Sequence, residues 1–529
     1  MNFRLGLLGL LMMFSLAAAE NGTVSVLIPK VVEGQLFNEI QVDASNPTSE
    51  PARVRLHTPN GFSVSFELAP GRAKSFSLLS YISFWMERIT VQINDGPPAS
   101  KNLFDVRRGK AAVFFSGNFT QEQLQAFKRL LALSSYENLF PVSGDWSRSF
   151  GLYLGCRALL FSREVFATLP VAVRNAVLDY ARLGGTLVIV DPGRKSAARR
   201  VFGFGSVVEA PQLPENEPPF DPAAWRKLEE AQGVTTATTS FFKEAPGGFL
   251  DYRITLHQTG IWCLMFVFVL AGACTWRILV RRGKGVHLFW ILPAGSLLFS
   301  GAVLLVAGFG EGWSARYRAA TVTFLDQCAG RSVSVGQVSF YAPLWGMEPL
   351  VFPERQVVTP VATRRNAKEE ILPDRGVSRW RGVTRGRMPG CYLMFRGEAR
   401  PERLEVRELG DGRIELVNRL GIPITELRLV GTDRRIYQRN EVLQPGEKVL
   451  LTGAESVKRQ DLALELPVVF DYIVRQESSP YPRIMYPGRY VARMASRTPF
   501  LSFGTERAAE REESWLIGEF APVNEEELP

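Results

Sequence analysis

The sequence predicts a multidomain α/β plus all-β membrane protein. Three features indicate it: two long apolar runs in mid-chain, an alternation of strands and helices ahead of them, and short alternating strands on both flanks. We expect a β-sandwich at 20–107, a parallel-sheet α/β domain at 108–250, transmembrane helices at 260–280 and 286–310, and a β-rich region at 311–529. A chain of 529 residues has room for three or four domains of roughly 100–200 residues each.

The first nineteen residues have the pattern of a secretory signal peptide. Arg4 gives a positive start, an apolar stretch covers residues 5–16, and Ala17-Ala18-Ala19 offers a small-residue cleavage site. The alternative is an uncleaved third membrane helix, which the shortness of the apolar stretch disfavours. We therefore expect a signal peptide at 1–19 and export of the chain that follows it.

Alternation of apolar and polar residues predicts short strands between residues 24 and 106. Residues 24–28, 52–56 and 62–68 alternate in this way, and clusters such as Asn46-Pro47-Thr48 separate them as turns. Strands with one buried face at regular spacing are typical of a β-sandwich of roughly immunoglobulin type. No catalytic constellation is visible in this part of the sequence.

From Lys110 the pattern changes to that of a parallel α/β fold. Residues 111–116 form an apolar strand, and a capping box of Thr120 and Gln123 opens the helix that follows. The scheme repeats with a strand at 157–162, a helix after Pro170, the pair Gly184-Gly185 as a helix stop, and a strand at 186–191. Repeated strand–helix–strand units imply right-handed crossovers and a parallel sheet.

These residues carry a resemblance to a known fold. The stretch from Cys156-Arg-Ala-Leu-Leu-Phe-Ser to Ala-Arg-Leu-Gly-Gly-Thr-Leu-Val-Ile-Val-Asp191 resembles the class I glutamine amidotransferase-like fold. It is similar to the non-catalytic versions tethered to bacterial membranes, including domains of unknown function and auxiliary subunits of gliding-type ABC transporters. The resemblance covers only the α/β domain. It implies a bacterial envelope protein and says little about its substrate.

The resemblance also implies a test for catalysis. Catalytic members follow the strand that matches 186–190 with a sharp elbow, Gly-x-Cys-x-Gly, whereas this chain reads Val-Asp191-Pro192-Gly193-Arg there. Asp191 is not a thiol, and Pro192 has no backbone N–H to offer an oxyanion. No histidine occurs between 194 and 248 to activate a nucleophile, and Cys156 precedes a strand, where packing is its expected role. We therefore predict that the chain is not an amidotransferase.

The carboxyl ends of the predicted strands remain a candidate binding crevice. Open α/β sheets bind ligands there, at the switch in strand order. The five candidate binding residues at these ends are Gly117, Asn118, Ser162, Arg163 and Asp191. Gly117-Asn118 ahead of a capped helix could hold a small anion on free amides. The alternative is that Asn118 and Thr120 only turn and cap the chain.

The two apolar runs, 260–280 and 286–310, predict a membrane hairpin. Arg277 is the only formal charge in the first run, and the second has none. About 20 apolar residues are enough for a helix to cross a hydrocarbon core of roughly 30 Å. Four tryptophans lie near the run ends, where amphipathic rings favour the headgroup layer: Trp262, Trp276, Trp290 and Trp313.

Charge predicts how this hairpin is oriented. Arg277, Arg281, Arg282 and Lys284 lie in and beside the link with no acid between them. Positive links stay on the cytoplasmic side. With the resemblance, this predicts a protein of the bacterial inner membrane with both large regions extracytoplasmic.

The region 311–529 reads as further strands separated by Pro-Gly turns. Cys328 and Cys391 lie in it, and an oxidising compartment permits a bridge, but sequence leaves bridged and free thiols both open. Residues 364–407 carry twelve Lys or Arg against six acids within a chain of net charge +9. This basic excess either approaches anionic polymers or is a solvated face. We find no hydrolase motif, metal-ligand spacing, cofactor motif or nucleic-acid module, so we expect no cofactor, metal or nucleic-acid partner.

The favoured interpretation is a non-enzymatic integral envelope protein, a scaffold or binding subunit that presents two extracytoplasmic domains. Its expected partners are membrane lipid and other envelope or membrane proteins. Two alternatives stay open: an accessory subunit of an ABC-type transporter, and a periplasmic hydrolase or transferase whose site the sequence does not reveal.

Overall fold

The computed structural model describes most of the chain between residues 24 and 521. The predicted signal peptide at 1–19 and the stretch 212–257 lie outside the described residues. The described ranges are 24–33, 37–57, 62–81, 88–102, 110–130, 137–142, 146–153, 156, 158–195, 198–203, 205–211, 258–311, 314–342, 348–353, 355–360, 369–374, 376–382, 390–453, 487–495, 497–507 and 509–521.

The amino-terminal region forms two facing β-sheets. Its strands are β1 (Ser25–Glu33), β2 (Phe37–Asn46), β3 (Ala52–His57), β4 (Phe62–Leu68), β5 (Arg72–Tyr81), β6 (Arg88–Ile93) and β7 (Ala99–Asn102). One sheet has the order β1-β2-β5, and the second contains β4-β3-β6-β7. Alternate residues of the two sheets, such as Val42 and Leu56, fill the space between them. This follows from the period-2 pattern, which puts every second side chain on one face.

The next region is the predicted parallel α/β unit. It contains β8 (Lys110–Ser116), α1 (Gln121–Leu130), β9 (Glu137–Pro141), β10 (Ala158–Ser162), α2 (Arg163–Thr168), α3 (Val171–Arg182), β11 (Thr186–Val190), β12 (Ala198–Phe202) and β13 (Gly205–Ala210). The sheet order is β12-β13-β11-β10-β8-β9, and only β12 runs antiparallel to its neighbour. The prediction of a parallel sheet is confirmed.

Two local predictions in this unit are also confirmed. The backbone N–H of Thr120 donates to Oε1 of Gln123 at 2.8 Å, and the N–H of Gln123 donates to Oγ1 of Thr120 at 3.2 Å. This is the reciprocal capping box that starts α1. At the end of α3, Gly184 has a φ of +113°, and a Cβ on Gly185 would overlap the Tyr180 ring. Both glycines are therefore needed where the chain leaves the helix.

The two apolar runs form a helical hairpin. The helices are α4 (Gln258–Arg281) and α5 (Leu288–Glu311), and the rings of Phe268 and Phe299 pack between them at 4.6 Å. Gly283 has a φ of +68° and donates to the carbonyl of Val280, while the N–H of Lys284 donates to that of Leu279. This pair of bonds is a Schellman motif that ends α4.

One stretch of the described residues is long and apolar enough to cross a membrane. It is Gly285–Leu305, with a mean hydropathy of 2.0 and no part buried inside the protein. It begins within the link between the two helices, residues 282–287, and covers most of α5. The large side chains of α4 are exposed as well, among them Phe266 and Val267.

In the carboxy-terminal region, the regular secondary structure of the described residues consists of strands. They are β14 (Arg316–Asp326), β15 (Arg331–Tyr341), β16 (Leu350–Pro353), β17 (Val357–Pro360), β18 (Glu369–Asp374), β19 (Val377–Arg381), β20 (Gly390–Ala399), β21 (Arg403–Gly410), β22 (Arg413–Arg419), β23 (Ile424–Val430), β24 (Ile436–Arg439), β25 (Lys448–Thr452), β26 (Arg489–Met494) and β27 (Arg511–Glu519). Eight of them form one sheet, β17-β20-β15-β14-β27-β26-β23-β24, and β21-β22-β25 form a second.

Three of these strands complete the second amino-terminal sheet, which the sequence pattern does not predict. The sheet has the order β16-β19-β18-β4-β3-β6-β7, and β18 runs parallel to β4 with Glu370 opposite Ser63. Next to this pair, Oγ of Ser65 donates to Oε1 of Glu370 at 2.5 Å. The region after the hairpin therefore shares a sheet with the region before it.

The two flanks of the hairpin also share a hydrophobic core. Phe150 and Val177 of the α/β unit lie in one cluster with Val333 and Phe395 of the eight-stranded sheet. The rings of Phe150 and Phe395 meet edge to face with centroids 6.4 Å apart. We call the combined structure of both flanks the outer body.

The structure answers the open question about Cys328 and Cys391, because neither residue forms a disulfide. Cys328 lies in the turn just before Arg331 at one end of β15, and Cys391 is opposite Ser339 near the other end. Eight residues of strand separate Arg331 from Ser339, which corresponds to about 27 Å. A disulfide requires Cα atoms less than about 7 Å apart, so this pair cannot form one within the fold.

Candidate functional site

The strand order of the α/β unit places its switch point between β8 and β10. β9 lies on one side of β8 and β10 on the other, so the connections leave these two strands in opposite directions. A ligand crevice is expected outside the carboxyl ends of such a pair. These ends are where the sequence places Gly117 and Ser162.

Gly117 and Ser162 are in direct contact at this point. Gly117 has a φ of +148°, and a Cβ added to it would lie 2.9 Å from Cβ of Ser162 and 2.8 Å from the ring of Phe119. Oγ of Ser162 accepts the N–H of Val165 at 3.4 Å and so caps α2. The switch point is therefore narrow, and its serine serves the local fold.

Arg163 and Asp191 also have local partners. Nη1 of Arg163 lies 3.4 Å from Oε1 of Glu209, and Arg194 pairs with the same carboxylate. Oδ1 of Asp191 accepts the N–H of Gly193 at 3.1 Å, which closes a turn directly after β11. The aspartate thus shapes the bend directly after β11.

The predicted residues do lie along one edge of the sheet. Phe161 is opposite Ser116, and Ser162 is opposite Val190, so Gly117, Ser162 and Asp191 follow three neighbouring strands. Two strand spacings are about 10 Å, within the reach of one small ligand. Asn118 is exposed beside them. The edge offers a polar surface with two guanidiniums and two carboxylates, and the residues that the structure describes there include no thiol and no histidine.

Cys156 lies away from this edge, at the amino end of β10. It is completely buried, and its carbonyl accepts the hydroxyl of Tyr180 at 2.9 Å. Burial raises the pKa of Tyr180 well above 10, so this hydroxyl stays protonated and acts as a donor. The surroundings of Cys156 are those of a packed core residue.

The most highly organised polar cluster of the described residues is one that sequence reasoning missed. It joins α3 of the α/β unit to the β14–β15 hairpin of the carboxy-terminal region. We call it the charge joint, and its members are Asp179, Arg182, Asp326 and Arg331. Arg182 and Asp179 are each only 2% exposed.

Five hydrogen bonds connect the members of the charge joint. Asp179 accepts Nη1 of Arg182 at 3.1 Å and both Nε and Nη2 of Arg331 at 3.2 and 2.6 Å. Arg182 also donates Nε and Nη2 to Oδ2 of Asp326, at 3.2 and 2.9 Å. Two carboxylates and two guanidiniums balance in formal charge, which is what burial of ionised groups requires.

Neighbouring residues contact the charge joint and leave room for its side chains. The guanidinium of Arg182 lies over the Phe202 ring at 4.5 Å, a cation–π contact. A Cβ on Gly397 of β20 would come within 2.5 Å of Oδ2 of Asp179, so glycine leaves room for the carboxylate. Burial raises the pKa of Asp179 above 3.8, and the attraction of Arg331 and Arg182 opposes this rise.

One signal in the sequence could have indicated the joint. Asp179 and Arg182 interrupt a helix whose neighbours Ala176, Tyr180 and Ala181 are all apolar and buried. Charged residues within such a surface need partners, since an unpaired buried charge is costly. The identity of those partners, more than 140 residues further along the chain, has no local signature.

A comparison with protein-family models finds no match for this chain, and a comparison with curated proteins finds none either. The resemblance to amidotransferase-like domains therefore stays a prediction. Within the residues described, no group of three or more His, Cys, Asp or Glu side chains is placed to hold a metal ion.

Proposed function

We propose that the chain is a non-enzymatic scaffold of the bacterial inner membrane, in which a hairpin of two transmembrane helices carries the outer body on the extracytoplasmic side. The observation that carries this proposal is that the residues before the hairpin and those after it share one core and one sheet. Its expected partners are membrane lipid and other envelope or membrane proteins.

The shared core supports two crossings. Segments that pack together must lie on the same side of a membrane, so the chain between them crosses an even number of times. The stretch Gly285–Leu305 is apolar enough for one crossing, and we assign the other to α4. Each helix has 24 residues, or about 36 Å, against a hydrocarbon core of roughly 30 Å.

The exposed side chains of the hairpin support the same conclusion. Phe266 of α4 and Leu297 of α5 are 65% and 76% exposed, and most of their large apolar neighbours are exposed too. A continuous apolar surface of this kind is unfavourable in water and is the expected surface for lipid. The basic link then favours the cytoplasmic side for the tip.

Thiol labelling of intact cells tests this topology. The probes are Asp95→Cys before the hairpin, Val286→Cys in the link and Asp411→Cys after it, all at exposed positions. The background replaces the exposed Cys274 and Cys328 with alanine. An impermeant maleimide should label positions 95 and 411, and position 286 only after permeabilisation. Labelling of 95 and 411 on opposite sides would overturn the hairpin.

A second experiment tests the absence of amidotransferase chemistry. The purified full chain should release no ammonia from glutamine, because Asp191 stands where the catalytic thiol is required. Glutamine turnover that disappears in a Cys156→Ser variant would identify Cys156 as a nucleophile and refute the non-enzymatic proposal.

A further inference from the structure

The tip of the hairpin is a concentrated patch of positive charge. Arg277, Arg281, Arg282 and Lys284 are all exposed, and no Asp or Glu occurs between 258 and 310. None of the four has an ion-pair partner among the described residues. They contrast with the arginines of the outer body, such as Arg403 and Arg419, which both pair with Glu405.

Local structure gathers these four cations into a small area. Arg277 and Arg281 are one helical turn apart on α4, and the Schellman turn at Gly283 brings Arg282 and Lys284 round beside the helix end. The four helical steps from Arg277 to Arg281 rise only about 6 Å, and Lys284 follows three residues later. Such an area matches one or two phosphate groups, and guanidiniums bind phosphate oxygens in pairs.

The position of the patch relative to the bilayer, if both helices cross it, identifies the kind of partner. The helices exceed a hydrocarbon core of roughly 30 Å by only a few ångströms, so their ends lie in the headgroup layer. The link between the helices is only six residues long, 282–287, and ends in a short turn, Gly285–His287. Trp276 and Trp290, which are 58% and 76% exposed, flank the patch at the level that tryptophan favours in a bilayer.

We propose that the hairpin tip is a binding site for the phosphate headgroups of anionic phospholipids in the leaflet opposite the outer body. The inference rests on the proposed function, since the tip reaches that leaflet only if both helices cross. The site would hold the hairpin at a fixed depth, and it would favour anionic over zwitterionic lipid because the choline of the latter compensates its phosphate.

Quenching by brominated lipid tests the site in the full chain. The chain is reconstituted in phosphatidylcholine vesicles that contain either brominated phosphatidylglycerol or brominated phosphatidylcholine at equal fractions. The signal from the tip is the part of the tryptophan quenching that a Trp276→Phe, Trp290→Phe variant loses. For the native chain it should be at least about two-fold larger with the anionic lipid, and 0.5 M salt should reduce the difference.

Two triple variants complete the test. Arg281→Gln, Arg282→Gln, Lys284→Gln should abolish the preference for anionic lipid, whereas Arg53→Gln, Arg72→Gln, Arg413→Gln removes the same charge from exposed positions of the outer body and should keep it.

The possible failures are distinguishable. Equal quenching by both lipids, in a chain that resists carbonate extraction, would refute the headgroup site but not the membrane hairpin. Extraction by carbonate with no quenching by either lipid would refute the hairpin itself. A preference that survives the tip variant would place the anionic lipid elsewhere and also overturn the site.

Discussion

Removing the Asp179 carboxylate should strongly destabilise the outer body. In an Asp179→Ala variant Arg182 keeps Asp326, but Arg331 loses its two hydrogen bonds to Asp179. Its side chain is only 16% exposed, and no second carboxylate pairs with it in the described part of the chain. Breaking a buried ion pair by deleting one partner typically costs about 3–5 kcal/mol. The residual exposure of Arg331 favours the lower end, about 3 kcal/mol.

Thermal unfolding of the full chain in lipid nanodiscs, followed by tryptophan fluorescence, measures this cost. A loss of about 3 kcal/mol lowers Tm by about 6–12 °C in a cooperative unit of 150–250 residues, and by less in a larger one. The control is Arg403→Ala, which breaks the exposed pair with Glu405 and should cost no more than about 1 kcal/mol. Limited proteolysis should show that the Asp179→Ala variant becomes sensitive in both flanks together.

A double-mutant cycle separates the charge joint from simple packing loss. Arg331→Met alone leaves Asp179 and Asp326 to share Arg182, so it should also destabilise. The double variant Asp179→Ala, Arg331→Met removes one charge of each sign and should cost less than the sum of the single changes, by about 0.5–3 kcal/mol. Additive costs, or an Asp179→Ala variant that melts within 1 °C of the native chain by the same assay, would refute the joint.

Three further predictions follow from single sites. Burial and the charge of Arg55 lower the pKa of His57 below 6.5. The outer body should therefore lose stability as the pH falls from 6.5 through the folded-state pKa of His57. A His57→Asn variant should lack this part of the pH dependence of Tm. Gly185→Ala should lower the free energy of unfolding, measured with urea, by about 1–3 kcal/mol, because the added methyl group would overlap the Tyr180 ring. A variant as stable as the native chain would contradict this packing. Asp191→Ala should change Tm by no more than a few degrees while impairing function in cells, and a large drop in Tm would mean that the residue only supports the fold.

Local features of this fold could be predicted from sequence because their causes are local. The capping box of Thr120 and Gln123 and the glycine stop at Gly184 each involve residues within a few positions of one another. The residues of β10 and β11 form nearly continuous apolar runs, which indicate strands that are buried on both faces. Such strands are typical of a parallel sheet. The two helices of the hairpin are predicted by the length of their apolar runs alone.

The features that join the two flanks could not be predicted in this way. Ser65 and Glu370 are 305 positions apart, and Arg182 and Asp326 are 144 apart. A strand that adds to a distant sheet has the same alternating pattern as one that pairs with its neighbour, so the pairing of β18 with β4 leaves no trace in the residues themselves. For the crevice, the sequence predicts that Gly117, Ser162 and Asp191 lie on one edge of the sheet. It does not indicate the local hydrogen bonds that Ser162 and Asp191 accept from neighbouring backbone N–H groups.

The connection between hairpin and outer body limits where that body can act. β14 begins at Arg316, five residues after α5 ends at Glu311, and five extended residues span at most about 18 Å. β14 is an inner strand of the eight-stranded sheet, and its partner β15 carries Arg331 of the charge joint. The helical hairpin is therefore joined by a short connection to an inner strand of the sheet that packs against the α/β unit. If the hairpin spans the bilayer, this short connection keeps the start of β14 within about 18 Å of the end of α5. The outer body then stays close to the membrane surface, and a partner of its α/β sheet has to bind there.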